Sequence, residues 1–249
     1  SRMEYLFFAS TDCGRVRANN EDAVATAPAI GLALLADGMG GYNAGEVASH
    51  IAITVTEQAM ARWFIHASNS PATPATSELC KALQQSVQEA NLAVLHTSLQ
   101  QPQCAGMGTT LVAAVFVHDS LVLGHMGDSR CYRLRHGQLQ QLTRDHSWLQ
   151  EQLDAGLMTP EEAAQTDHSN LITRALGVAE ETALEINAFH VQPQDLFLLC
   201  SDGLTNMLHD HELCMLANTP MTLEEKAKLL IDTANALGGH DNISVILVQ

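Results

Sequence analysis

"LALLADGMGG", residues 32–41, runs five apolar residues into an Asp-Gly pair and then into more glycine. A short apolar run of this kind reads as a buried strand, and Asp-Gly is among the commonest two-residue hairpin turns. As a single instance it is as good a hairpin as it is the edge of an active site. The chain, however, repeats the pattern. "LFLLCSDGL" (196–204) again leads an apolar run to Asp-Gly, and "GGHDNISVILV" (238–248) sets Asp241 just ahead of one. In "LVLGHMGDSRCYRL" (121–134), Asp128 interrupts two strand-like runs. Asp37, Asp128, Asp202 and Asp241 thus all lie at strand edges in glycine-rich surroundings. One such aspartate is a turn; four point to strand ends gathered around something positive.

Working outward from these runs, Tyr5–Ala9 opens the chain as a strand and a polar loop precedes Leu32–Ala36. Val47, Ile51, Val55 and Ala59 recur every fourth residue, the mark of an amphipathic helix, and Leu79, Leu83, Val87, Ala90 and Val94 mark a second. The Pro/Ser/Thr-rich "ASNSPATPAT" (67–76) links them. Strand signals follow at Thr109–Val117, Leu121–His125 and Cys131–Leu134, separated by turn residues, with a turn at Arg135-His136-Gly137-Gln138. Residues 145–177 are polar and partly helical, an excursion from the sheet. Strands return at Ala183–His190 and Leu196–Cys200; a helix carrying Leu223, Ala227, Leu230, Ile231, Ala234 and Leu237 precedes the strand Ile243–Val248. Strands grouped by hairpin turns, paired helices and no steady βαβ alternation predict an α+β fold, two antiparallel sheets covered by helices.

At 249 residues there is ample chain for a sizeable core. Acidic residues number 28 against 12 basic ones, a net charge of −16, which argues against nucleic acid as a partner because phosphate backbones are bound by basic patches. A solvated acidic surface and carboxylates clustered for cations both fit that charge. No stretch approaches the roughly 18 apolar residues of a membrane span, and no secretory signal opens the sequence. The six cysteines include no C-x-x-C pair, so neither a zinc ribbon nor a disulfide frame is indicated, and a reducing cytoplasm is expected.

Clustered carboxylates suit hard divalent cations such as Mg²⁺ and Mn²⁺, and two such ions sharing a carboxylate make a hydrolytic centre. Other phosphoryl-transfer chemistries lack their residues: no lysine follows a glycine, no cysteine has arginine six positions on, and no Asp-x-Asp occurs. A metal-activated water is left as the nucleophile. In "TDCGRVRANNEDA" (11–23), Arg15 and Arg17 stand beside Glu21 and Asp22. An arginine fork suits a phosphate dianion, although the charge pattern alone favours a solvated mixed-charge loop.

Those residues, with "LLADGMGG" (34–41), "GTT" (108–110), "GDSR" (127–130), "TRDHS" (143–147), "ITRALG" (172–177), "LLCSDGL" (198–204) and "GGHDNIS" (238–244), resemble the type-2C, or PPM, family of metal-dependent serine/threonine protein phosphatases. The likeness runs in register along essentially the whole chain and is closest to compact bacterial members. It implies a β-sandwich of two antiparallel sheets flanked by helix pairs, a single catalytic domain over 1–249, and a flap at about 145–177. It implies Mn²⁺ or Mg²⁺ as cofactor, with Asp37 bridging two ions, Gly38 lending a carbonyl, and Asp202 and Asp241 completing the pair. Glu21 and Asp22 would act mainly through bound waters, and Asp128 with Asp202 would hold a third, weaker ion. Arg17 matches the phosphate-binding arginine, and Asn242 would orient Asp241. Where many eukaryotic members carry a histidine after the metal Asp-Gly, this chain has Met39, which cannot donate a proton, so a metal-bound water is the expected general acid.

The resemblance therefore implies hydrolysis of phosphoserine and phosphothreonine on proteins, opposing a Ser/Thr kinase, by a cytoplasmic monomer with neither nucleic acid nor membrane as partner. A non-catalytic phosphoprotein-binding module would be expected to have lost a metal aspartate, and none is missing. A small-molecule phosphoesterase would share the site and differ only in substrate. His125, His146 and His240 lie near motifs and read as structural histidines.

Overall fold

The computed structural model describes residues 3–166 and 171–249. Among these the chain runs β1 (Phe7–Asp12), β2 (Asp22–Ala27), β3 (Leu32–Met39), α1 (Ala44–Ala67), α2 (Thr76–Gln100), β4 (Gly108–Thr109), β5 (Leu111–Val117), β6 (Ser120–Met126), β7 (Arg130–Arg135), β8 (Gln138–Gln141), α3 (Trp148–Asp154), α4 (Pro160–Gln165), β9 (Glu185–His190), β10 (Leu196–Cys200), α5 (Asp202–Thr205), α6 (Asp210–Ala217), α7 (Leu223–Ala236) and β11 (Ile243–Val248). One sheet is ordered β1-β11-β10-β7-β8, the other β2-β3-β5-β6-β9, with β4 paired to β3. Every pairing is antiparallel.

The unbroken apolar runs are strands covered on both faces, and the period-2 alternation of a strand splits each run between two cores. In β3, Ala33 and Leu35 point into the layer between the sheets, while Leu32, Leu34 and Ala36 pack with Ala48, Ala52 and Met60 of α1 and Leu83 and Val87 of α2. In β11, Ile246 and Val248 enter the inter-sheet layer while Val245 and Leu247 meet Leu213 of α6 and Ala227, Leu230 and Ile231 of α7. The result is helix, sheet, sheet, helix in four layers, the α+β sandwich that the sequence predicts.

Several local expectations need correction. The stretch before Leu32, read as a polar loop, contains β2, whose aspartate and three alanines carry little strand signal; it is a strand because it pairs with β3 from Asp22↔Asp37 to Ala27↔Leu32. The opening strand runs Phe7–Asp12, displaced from the expected Tyr5–Ala9 because it follows β11 in register. Helix α6 was not anticipated. Neither Asp-Gly is a hairpin: Asp37 and Gly38 lie inside β3, and Asp202 and Gly203 open α5.

The 145–177 excursion carries α3 and α4, capped by the hydroxyls of Ser147 and Thr159. Its two ends meet in a bridge between Ser147 and Ile172. Residues 167–170 of that expected flap lie outside the described residues. Among the described residues, no helix is long and apolar enough to cross a membrane.

Candidate active site

The two sheets bring their aspartates together at one edge of the sandwich. Asp22 and Asp37 face each other across β2 and β3. From the other sheet, Asp202 follows β10 and Asp241 precedes β11, while Asp128 sits in the loop that crosses between the sheets from β6 to β7. Asp22 joins the layers directly: Ser201 Oγ and Ser244 Oγ donate to its Oδ2 at 2.9 and 2.6 Å. The Asp37 amide donates to Thr110 Oγ1 at 3.0 Å, and that hydroxyl lies 2.8 Å from Ser129 Oγ, beside Asp128. Gly38 lies so close to the Gly45 carbonyl that a side chain there would collide with backbone, which lets α1 start hard against the site.

Burial and mutual repulsion make this cluster unfavourable as bare anions. Burial pushes the Asp22 carboxyl up to about 7, even against the two serine hydrogen bonds. Asp37 is raised well above its ordinary value, by burial first and then by the charges of Asp22 and Asp202. Asp128 is raised likewise, by burial and then by Asp202 and Asp145, and burial also raises Asp202 and Glu21. Among the described residues, Glu21 Oε2, Asp22 Oδ1, Asp128 Oδ1 and Asp202 Oδ1 are buried and accept no hydrogen bond. A buried carboxylate oxygen without a partner is costly, by about 1–3 kcal/mol or more for a charged group. Four of them, from three separate segments and all hard oxygen donors, fit divalent cations such as Mg²⁺ or Mn²⁺.

Arg17 stands at the rim of this cluster, half-exposed, with Nε 3.4 Å from Asp241 Oδ1. Its loop is held from beneath by Asn242, whose Nδ2 donates to the carbonyls of Cys13 and Asn19, both at 2.9 Å. Asn242 Oδ1 accepts from the Glu21 amide at 2.9 Å.

A sequence model for protein phosphatase 2C matches residues 11–236. The serine/threonine phosphatase stp of Listeria monocytogenes serotype 4b is 40% identical over 244 residues, spanning 96% of this chain and 93% of the relative. The chain belongs to the protein phosphatase 2C family. The fold agrees: the Mycobacterium tuberculosis serine/threonine phosphatase PstP/Ppp superposes with a TM-score of 0.89 at 36% identity, covering 99% of both chains. The catalytic domain of PstP in complex with two manganese ions superposes at 0.85 and 37% identity, over 98% of this chain and 97% of that one.

Within this 2C phosphatase fold, Asp22, Asp37, Asp128, Asp202 and Asp241 share one cluster, with Gly38 beside it and Arg17 at its rim. Asn242 contacts Asp241 through its backbone. It is the Asn242 backbone amide that donates to Asp241 Oδ1, at 2.8 Å, while the side chain stitches down the Arg17 loop. Ser201, Ser244 and Thr110 were missed, although they sit in the quoted motifs, Ser201 one residue before Asp202, Ser244 three after Asp241 and Thr110 directly after β4. Their signal is a small hydroxyl at a wholly buried position, which composition does not reveal.

Proposed function

We infer that this 2C-family phosphatase hydrolyses phosphoserine and phosphothreonine esters on proteins, at a divalent-metal centre built on the carboxylate cluster. The observation that carries the reading is the set of four buried carboxylate oxygens, on Glu21, Asp22, Asp128 and Asp202, that have no hydrogen-bond partner among the described residues. Asp37, Asp202, Asp241 and the Gly38 carbonyl would hold a core pair of Mn²⁺ or Mg²⁺ ions, with Asp22 and Glu21 beside them and Asp128 with Asp202 holding a third. Bound there, the ions supply Lewis acidity and a water acidic enough to attack phosphorus near neutral pH.

The chain's own residues do the rest. Strand β3 and its Thr110 hydrogen bond fix Asp37, so the carboxylate does not have to be ordered during the reaction. Arg17, free to swing at the rim, offers its guanidinium to the phosphate dianion and leaves Asp241 to the ions. Met39 at the end of β3 offers no proton, which leaves protonation of the leaving seryl or threonyl oxygen to water. Residues 145–177 act as a flap beside the cluster, and 1–249 as one catalytic unit. The partners are phosphorylated proteins and a Ser/Thr kinase whose work is reversed, in a cytoplasmic monomer.

The test is turnover of phosphoseryl and phosphothreonyl peptides against sugar phosphates, with and without Mn²⁺. Metal-dependent turnover selective for the peptides is expected, and lost in Asp37→Asn. Preference for sugar phosphates would move the protein to the small-molecule phosphoesterases. Full activity after exhaustive chelation would remove the metal centre.

A further inference from the structure

In a second group of ligand-type residues, His125, His146 and Glu185 bring three candidate donor atoms within 4.8 Å of one another, the geometry of a small cation site. The hydrogen bonds assign it another role. The Gly127 amide donates to His146 Nδ1 at 3.0 Å. An amide can only donate, so Nδ1 is bare and the proton of the neutral ring sits on Nε2, which faces Glu185 Oε1 at 3.5 Å. His125 Nε2 lies 2.9 Å from the Arg144 carbonyl, which can only accept, and 3.7 Å from Glu185 Oε2. Both nitrogens that face the carboxylate are therefore N–H groups, with no lone pair to give an ion.

The rings stack in parallel, 4.5 Å apart at an angle of 6°, and His125 and Glu185 are partners across β6 and β9. Burial, with His125 and Arg174 nearby and against the pull of Glu185, holds the His146 ring down at about 4, so it is neutral at ordinary pH.

The two sides of His146 hold different things. Its amide donates to the Gly127 carbonyl at 2.9 Å, so His146 grips both polar groups of Gly127. Gly127 has φ +105 and lies against the Thr110 side chain, leaving the backbone one residue before Asp128 no other residue type to use. On its other side, the His146 carbonyl accepts from the Thr173 amide at 3.0 Å, next to the bridge between Ser147 and Ile172. A single residue thus pins the Asp128 loop and closes the root of the flap.

We propose that His146 is a positioning residue: a neutral latch, protonated on Nε2, that couples the flap root to the loop carrying Asp128, and that its cluster with His125 and Glu185 takes up no cation. The coupling rests on the reading of Asp128 as a ligand of the third ion. His146→Leu removes the acceptor for the Gly127 amide, whereas His146→Asn puts an oxygen where Nδ1 stands. In the metal-free parent, a long-range proton–nitrogen spectrum should show His146 protonated on Nε2, and Gly127 should exchange its amide slowly. His146→Leu should speed that exchange and raise the Mn²⁺ concentration for half-maximal activity by roughly 2- to 10-fold, the scale of one hydrogen bond. His146→Asn should restore both.

A proton on Nδ1, unchanged Gly127 exchange in His146→Leu, or Zn²⁺ shifting both ring signals in Asp37→Asn would each overturn the latch. Asp128→Ala separates the two readings. If it leaves the Mn²⁺ requirement unmoved while Gly127 exchange still quickens in His146→Leu, the latch stands as a structural coupling and the third-ion role of Asp128 falls.

Discussion

Among the described residues, Asp22 has one carboxylate oxygen fully engaged and one with no hydrogen-bond partner. Two serine hydroxyls hold Oδ2, so Oδ1 is aimed into the cluster, and the side chain serves as a strap between sheets as well as a candidate ligand. On the proposed function, Arg17 binds phosphate and Asp128 holds a third ion, and each can be removed separately. The Arg17 side chain pairs with Asp241, at 3.4 Å, from an exposed position. Arg17→Ala should therefore leave Mn²⁺ affinity near that of the parent and lower kcat/KM on a phosphopeptide by about 10- to 150-fold, the loss of one charge-assisted phosphate contact of roughly 1.5–3 kcal/mol. Calorimetry showing lost Mn²⁺ binding with unchanged kinetics would contradict that role. Asp128→Ala should keep two tightly bound Mn²⁺ and lose most activity on phosphoprotein. If Asp128 only shaped its turn, the variant would instead melt earlier and stay active at permissive temperature.

At the scale of elements, β3 carries both the fold and the site. Leu35 is fully buried between the sheets two residues before Asp37. Leu35→Ala should cost about 2–5 kcal/mol of stability through the cavity it leaves, read as a lowered midpoint in urea with an unchanged slope. A cost below about 1 kcal/mol would mean that the layer between the sheets repacks freely.

Strands such as β3, β5, β10 and β11 were legible in the sequence because covering on both faces makes them continuous apolar runs. The helix α1 was legible through its fourfold spacing. β2 was not, because its aspartate and three alanines are poor strand formers and its identity comes from pairing with β3, a long-range fact. The aspartates of the site were visible one by one as polar residues in improbable places. That Ser201 and Ser244 converge on Asp22 from 179 and 222 residues away was not visible, since hydrogen bonds of that separation leave no local pattern. Nor could spacing show that Asn242 reaches back to Cys13 and Asn19.

For the whole molecule, the raised carboxyls set the pH dependence. Asp22 is shifted from 3.8 to about 7, and Asp37, Asp128, Asp202 and Glu21 shift in the same direction. A carboxyl with a folded pKa above its unfolded one keeps its proton in the native state after the unfolded chain has lost it. The native state then binds more protons, and stability declines as pH rises through that interval. The metal-free protein should therefore show a Tm that falls between about pH 4 and about pH 7, with a weaker fall in Asp22→Asn. The net charge of −16 adds to the decline by self-repulsion. Mn²⁺ held by those carboxylates, as proposed, would displace their protons and favour the folded chain, so the Tm gain on adding it should grow with pH over the same interval. A metal-free Tm that rises across that range would contradict the raised carboxyls.

The most direct test of the metal centre is anomalous scattering from crystals of the parent protein soaked in Mn²⁺. Two strong peaks about 3.5–4 Å apart are predicted, both within bonding distance of Asp37, with Asp202 and Asp241 around them. A third, weaker peak is predicted beside Asp128. Crystals with no peak at Asp37 at saturating Mn²⁺, or with manganese only between His125, His146 and Glu185, would contradict the assignment of the carboxylate cluster as the hydrolytic centre.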